Sequence, residues 1–263
     1  MQKIYLFLSA LLICNSGFGL YTGNPGSPGI PEEGLFLSKE SWLRIKMGYE
    51  YDHVQNRKLK VLRQNALQVK NMPKAKLTSN FGTFTASINQ RLDLYFGLGK
   101  THAEFTQRLY PQGPDIFYKS HSHFAWGGGG RAILVYWGDT QVGLAASYRA
   151  VRPDLYAILV DQESYLPQKT KMFCYEWQVS MGLYQRFSYL IPYIALQCAD
   201  FQGKLRHLPP LPIFPRGYFS FKSQHLFGLV LGCGLTNQRG FDCNFEARFF
   251  HEKAFTISAD VSF

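Results

Sequence analysis

Charged residues stand at every second position in several stretches of this chain. Arg44, Lys46 and Glu50 alternate with Leu43, Ile45, Met47, Tyr49 and Tyr51. Asp93 alternates with Leu92, Leu94, Phe96 and Leu98, and Arg149 follows the run Val142, Leu144, Ala146, Tyr148. Glu176 and Gln178 interleave with Tyr175, Trp177 and Val179; Asp242, Glu246 and Arg248 interleave with Phe241, Cys243, Phe245, Ala247 and Phe249. On an extended chain, residues i and i+2 share a face, so each stretch has one charged side and one apolar side. A face carrying both signs of charge is what an aqueous path for ions and small solutes requires. In a dry core the same groups would be unpaired and costly. The candidates for lining such a path are Arg44, Lys46, Glu50, Asp93, Arg131, Arg149, Glu176, Gln178, Asp242, Glu246 and Arg248.

Other reactive groups carry less. His121-Ser122-His123 puts two imidazoles on one side of an extended segment, but a metal site needs further ligands that the sequence does not supply. No nucleophile–base motif is recognisable, and Gly127–Gly130 lacks the lysine and helix of a phosphate loop. That run suits relief of crowding on a curved strand or turn. The expectation is no catalytic residue, no metal and no cofactor. Four cysteines follow the amino-terminal region: Cys174, Cys198, Cys233 and Cys243. A turn centred on Gln238 pairs Leu235 with Phe241 and Cys233 with Cys243, within disulfide reach of each other. The alternative is two free thiols serving as small hydrophobes.

Strands must position these rows. The last eleven residues, KAFTISADVSF, put Phe255, Ile257, Ala259, Val261 and Phe263 on one face, with Ala254, Thr256, Ser258, Asp260 and Ser262 on the other. The closing strand of bacterial outer-membrane barrels commonly ends this way, on a terminal Phe read by the barrel assembly machinery; Phe263 takes that place. Clear alternation covers 43–51, 92–99, 141–151, 172–183 and 241–249, with weaker candidates at 59–69, 81–90, 131–137, 154–161, 189–200 and 219–235. Periodicity does not distinguish a transmembrane barrel from a two-sheet sandwich with its aromatics turned inward. The other end of the chain favours the barrel. Residues 1–19 have the form of a secretory signal peptide: Lys3, a nearly all-apolar Ile4 to Ile13, and small residues at Gly17 and Gly19. Ile13 before Cys14 is too bulky for a lipoprotein signal.

The expected fold is all-β: an antiparallel transmembrane β-barrel over 41–263, preceded by a Gly/Pro-rich segment at 20–40. About 12 strands, within a range of roughly 10 to 16, would span it. A three-residue turn, Gly138-Asp139-Thr140, would pair Tyr136 with Val142 and send Arg131 inward, where a two-residue turn would aim it at lipid. Thr101–Ser122 and Gln202–Arg216 read as loops.

The formal charge is +10. Export argues against nucleic acid, and the basic run RKLKVLR at 57–63 has little aromatic interleaving. In an outer membrane, positive surface would meet lipopolysaccharide phosphates or anionic solutes, and the sign hints at anion preference. The partners expected are outer-membrane lipid and lipopolysaccharide, and small solutes and ions. A barrel with its lumen plugged by side chains, structural or surface-interacting, is the second class.

The order of these segments resembles the chlamydial major outer membrane porin family. Leu20 to Pro25 is similar to its mature amino terminus with Gly-Asn-Pro, and Ile45 to Asp52 to its first strand. Leu92 to Gly99, Gly130-Arg131-Ala132 with Val142-Gly143-Leu144, and Tyr175 to Gln178 with Pro192-Tyr193-Ile194 resemble later strands and hairpins; Phe245 to Phe263 is similar to the last hairpin. The resemblance implies an outer-membrane porin, commonly trimeric, passing small hydrophilic solutes by diffusion. The chain is shorter than typical members, and Gly26 to Gly34 lacks the family's early cysteines. Long variable loops and intermolecular disulfide cross-links therefore do not carry over.

Overall fold

The structure, a computed structural model, describes residues 23–29, 41–64, 71–108, 115–160, 163–167, 170–209, 218–237 and 239–263. A single 3-10 turn at Ser27–Gly29 precedes fourteen strands. These are β1 (Leu43–Gln64), β2 (Asn71–Ile88), β3 (Leu92–Arg108), β4 (Asp115–Ser120), β5 (His123–Trp137), β6 (Thr140–Val151) and β7 (Leu155–Val160). They continue with β8 (Glu163–Tyr165), β9 (Lys171–Gln185), β10 (Leu190–Arg206), β11 (Phe219–Ser223), β12 (Phe227–Thr236), β13 (Phe241–Phe249) and β14 (Glu252–Ser262). Ten of them close an antiparallel ring in the order β1-β2-β3-β5-β6-β9-β10-β12-β13-β14, with β14 returning to β1. Closure leaves no ring strand with an unpaired edge, the condition for crossing lipid.

Three of the four short strands are continuations. On β3, Arg108 pairs with Asp115 and Glu104 with Lys119, and the ladder resumes at Thr101 with His123, so β4 and β5 form one interrupted stave. By the same reasoning β7 extends β6, and β11 extends β12 along β10. The β13–β14 hairpin is shorter than its neighbours. Above it β11 bridges β1 to β10 directly.

The two ends of the barrel differ in their connections. At the lower end Asn89-Gln90-Arg91 joins Ile88 to its ladder partner Leu92, with Asn89 and Gln90 at positive φ and Arg91 N–H donating to Ile88 O. Gly138-Asp139 and Ser188-Tyr189 make similar short turns there. Most of the longer connections lie at the other end. Short turns at the periplasmic side and long loops outside are the habit of outer-membrane barrels.

Polarity inverts along the strands. In its lower part β3 turns Leu94, Phe96 and Leu98 outward; beyond them the same face carries Lys100, His102, Glu104, Thr106 and Arg108. Its inner face runs the other way, from buried Asp93 below to Ala103 and Phe105 above. On β9, Phe173, Tyr175, Trp177, Val179, Met181 and Leu183 form the outer face. Phe173 and Leu183 are ten residues apart, about 33 Å along a strand at ~3.3 Å per residue. A tilt of about 40° makes that about 25 Å of height, the apolar band of an outer-membrane barrel. Linked aromatic rings mark its upper edge, with Trp126, Tyr148, Tyr175 and Phe173 in sequence across β5, β6 and β9. Exposed Trp42, Trp137, Phe187 and Tyr189 mark the lower edge. Above the band the interior is an apolar core that includes Leu77, Phe105, Tyr118, Ile158, Phe201 and Phe221.

Several expectations need correction. Ten ring strands carry the fold, at the lower end of the expected range, with four short strands outside the ring. Segments 43–51 and 59–64 belong to one 22-residue strand, and β3 and β4 occupy much of the stretch read as the loop Thr101–Ser122. Likewise 202–206 is strand rather than loop. The β5–β6 turn is Gly138-Asp139, with Trp137 opposite Thr140, and Gly138 takes φ +59°. Arg131 still points inward because a β-bulge between Ile133 and Val135 restores the parity. The Cys233–Cys243 bridge is not formed. Cys233 faces Phe245, Leu235 faces Cys243, and all four cysteines are free. A two-residue slide leaves every side chain on its original face, so parity is blind to it. What sets the register is Asn237, whose side-chain oxygen accepts from the Arg239 and Phe241 N–H groups. The signal-peptide segment, residues 1–19, lies outside the described residues.

Candidate lumen and its charge network

All eleven residues expected on a polar inner wall point into the barrel, ten of them buried and Arg149 nearly so. They form two tiers. In the lower tier Lys46, on β1, donates from Nζ to Ser27 O at 2.8 Å and pairs with Asp93 Oδ2, on β3, at 3.1 Å. The Ser87 hydroxyl also bonds Asp93. Ser27 belongs to the buried segment Gly23–Gly29, which sits inside the lower barrel with Pro25 against Gly143 and Gly26 against the Tyr184 ring. Asn24 folds this segment locally by accepting from Gly26 N–H at 2.9 Å. Arg131 lies over the Tyr95 ring, 4.6 Å from its centroid, and the opposed Gly129 leaves room for that ring. The glycine run thus serves close packing within a strand. Arg44 is buried on the same wall, and Asp242 stands opposite Asp260.

The upper tier is a continuous ion-pair network. Arg149 (β6) reaches Glu50 at 2.5 Å and Asp52 at 3.5 Å across the barrel. Arg248 (β13) pairs with Asp52 at 2.7 Å and Glu246 at 2.8 Å, while Thr256 donates to Asp52 and Tyr193 to Glu246. Arg57 closes the top, donating to Glu176 and to Glu252 at 2.7 Å each and lying over the Phe201 ring. Gln197 donates to Gln178 at 2.8 Å. Removing charge from water costs several kcal/mol per ion unless pairs and hydrogen bonds offset it. This tier meets that demand by sharing Arg57, Arg149 and Arg248 each between two acids.

Two small cavities lie among the described residues of this packing. One of about 20 Å³ lies between Glu50, Phe81, Tyr95 and Arg149; another of about 30 Å³ lies between Asp52, Thr101, Cys174, Glu176 and Phe201. A void of this size holds a water or two, not a hydrated solute.

The wall candidates did not include Asp52, Arg57, Glu252 or Asp260, although Asp260 stands on the polar face already read for the last strand. Asp52 and Asp260 continue the alternation by one step and were legible. Arg57 was not. A β-bulge between Val54 and Asn56 shifts the parity of β1, turning Arg57 of the basic run 57–63 inward, while Lys58 and Lys60 go outward. The described interior holds eight carboxylates (50, 52, 93, 176, 242, 246, 252 and 260) against six basic groups (44, 46, 57, 131, 149 and 248). The chain's formal charge of +10 therefore does not measure the described wall, where acids outnumber basic groups.

Other candidate chemistry is accounted for. Glu176, His251 and Glu252 approach one another closely enough to suggest a metal site. Arg57 already bonds both carboxylates, so a cation there would have to displace a guanidinium. His121 stacks on Tyr156 and His123 lies 3.7 Å from Asp154, at the surface interruption between β4 and β5.

A closed antiparallel ring with an apolar outer band and charged interior defines a transmembrane β-barrel of the outer-membrane type. No protein-family model and no curated protein matches the chain. Solved structures of similar shape include the outer membrane protease OmpT from Escherichia coli, 8% identical, with a TM-score of 0.43 over 84% of this chain and 97% of that one. Another is the outer membrane protein OprG from Pseudomonas aeruginosa, 8% identical, with a TM-score of 0.40 over 89% and 99%. The translocator domain of the autotransporter NalP from Neisseria meningitidis is 11% identical, with a TM-score of 0.41 over 90% and 91%. The assignment of the fold rests on the strand registers of this chain.

Proposed function

We propose that the protein is exported and inserted into the outer membrane as a porin-like barrel that is closed at rest, serving the envelope through its surfaces rather than by free diffusion. One observation carries this reading: the described interior is filled along its height. Segment 23–29 fills the bottom, the arginine–carboxylate network the middle, and an apolar core the top. The charged rows read from the sequence as a pore lining thus act in this state as a cross-brace.

A second reading, a channel that opens for ions and small hydrophilic solutes, draws on the same wall and on the porin resemblance. Ion pairs can exchange partners with a passing ion, as an apolar plug cannot. Single-channel recording of the folded full chain in a planar bilayer separates the two. The closed barrel gives no reproducible steps. Regular steps from folded protein would overturn it, and a salt gradient would then report the preferred sign of ion.

A further inference from the structure

The outward basic residues above the apolar band form a connected arc. Lys171 on β9 pairs in register with Arg206 on β10. Lys204 precedes Arg206 on the same face, and Lys222 on β11 pairs in register with Lys60 on β1. Lys58 continues the arc on β1, and Lys74 and Lys76 extend it onto β2. Two pairs, Lys171 with Arg206 and Lys60 with Lys222, oppose like charges directly across a ladder, an arrangement that destabilises a sheet. Among the described residues no carboxylate forms an ion pair with Lys58, Lys60, Lys171, Lys204, Arg206 or Lys222; Asp154 stands opposite Lys171 in an isolated bridge, with its carboxylate 3.7 Å from His123. Of the acids nearby, Asp200 is buried and held by Gln202 at 2.7 Å, and Glu104 lies beyond the arc's edge, 3.6 Å from Lys76.

The height of the arc is equally specific. Lys171 stands two residues beyond Phe173, the uppermost aromatic of the β9 band. A basic group at that level, on the end of the barrel away from the short turns, meets the headgroups of the outer leaflet.

We infer that this arc is a docking surface for the phosphate groups of an outer-leaflet phosphoglycolipid of the lipopolysaccharide kind, whose anions lie between the opposed cations of β9–β10 and β11–β1. The inference rests on the outer-membrane reading above. Fractionation of cells tests that reading separately, because the lipid experiment uses purified protein in detergent.

The experiment compares retention of purified lipopolysaccharide by the folded full chain with retention of the same lipid after its phosphates are removed, with inorganic phosphate as competitor. The wild type is expected to retain at least ~10-fold more of the phosphorylated form, in a salt-sensitive way. Replacing Lys60, Lys222, Lys171 and Arg206 together by Gln is expected to abolish the difference, whereas Arg239→Gln at the opposite rim leaves it intact. The fourfold variant should also be more heat-resistant than wild type in phosphate-free detergent and gain nothing from added lipid. Equal retention of the dephosphorylated lipid overturns the proposal. So does undiminished retention by the folded variant. Full competition by millimolar phosphate would mean a site for free anions and would overturn it too. If the variant fails to fold, the wild-type comparison of the two lipids still decides.

Discussion

The lower and upper parts of this barrel solve opposite solvent problems with the same ladder. Below the aromatic edge, β3 presents Phe96 to lipid and keeps Asp93 inside; above it, the same strand presents Thr106 to water and keeps Phe105 inside. The β2–β3 ladder crosses the boundary without a register shift. The lesson is that strand periodicity defines two faces, and the surrounding solvent decides which face is the interior. The lower interior is held by shared charge, the upper by apolar burial.

Each regime fails in its own way, which gives graded tests. The largest effect is expected at Arg57, buried between Glu176 and Glu252. Arg57→Met leaves two buried carboxylates without their cation, at a cost of about 3–5 kcal/mol. Urea unfolding in lipid vesicles measures it, and restoration by the triple change with Glu176→Gln and Glu252→Gln would show that unpaired charge is the cause. Phe105→Ala in the upper core is expected to cost about 3–4 kcal/mol through a cavity among Phe201 and Phe221. A loss below about 1 kcal/mol there would mean that the upper core is not packed as described. Next comes a pair on one face of one strand. Phe96→Arg puts a charge in the lipid band and costs about 2–4 kcal/mol, whereas Thr106→Arg, above the band, changes stability by less than about 0.5 kcal/mol. Equal effects would remove the boundary.

The smallest effect concerns the upper rim. There a hydrogen bond from Arg108, 2.8 Å away, holds the Asp115 carboxyl below its ordinary range, and the pair's charge attraction adds to this. A carboxyl lowered in the folded state contributes above its unfolded pKa and loses that contribution as pH falls through the folded value. The expected signature is a slight loss of stability confined to strongly acid pH, absent in Asp115→Asn. A difference between wild type and variant that persists as a pH slope near neutrality would contradict it.

Much of the lower barrel was legible because lipid outside and charge inside impose a strict period of two, and eleven wall residues follow it. The upper barrel was less legible. Beyond Gly99 the outer face of β3 becomes polar, so alternation no longer separates strand from loop, and 101–122 read as a loop. The errors inside recognised strands have one origin: local events of one or two residues. The bulge near Asn56 turned Arg57 inward, the bulge near Leu134 compensated a short turn, and the Asn237 turn slid the Cys233 ladder by two.

By itself the sequence determined that this chain makes antiparallel strands with one charged and one apolar face, because alternation is a property of neighbours along the chain. Only the tertiary structure decided that the charged faces close on one another. Ring size, the entry of segment 23–29 and the pairing of Arg57, Arg149 and Arg248 with acids on distant strands depend on which strands become neighbours. Bulges and turn registers set that outcome, and they leave the period of two almost unmarked.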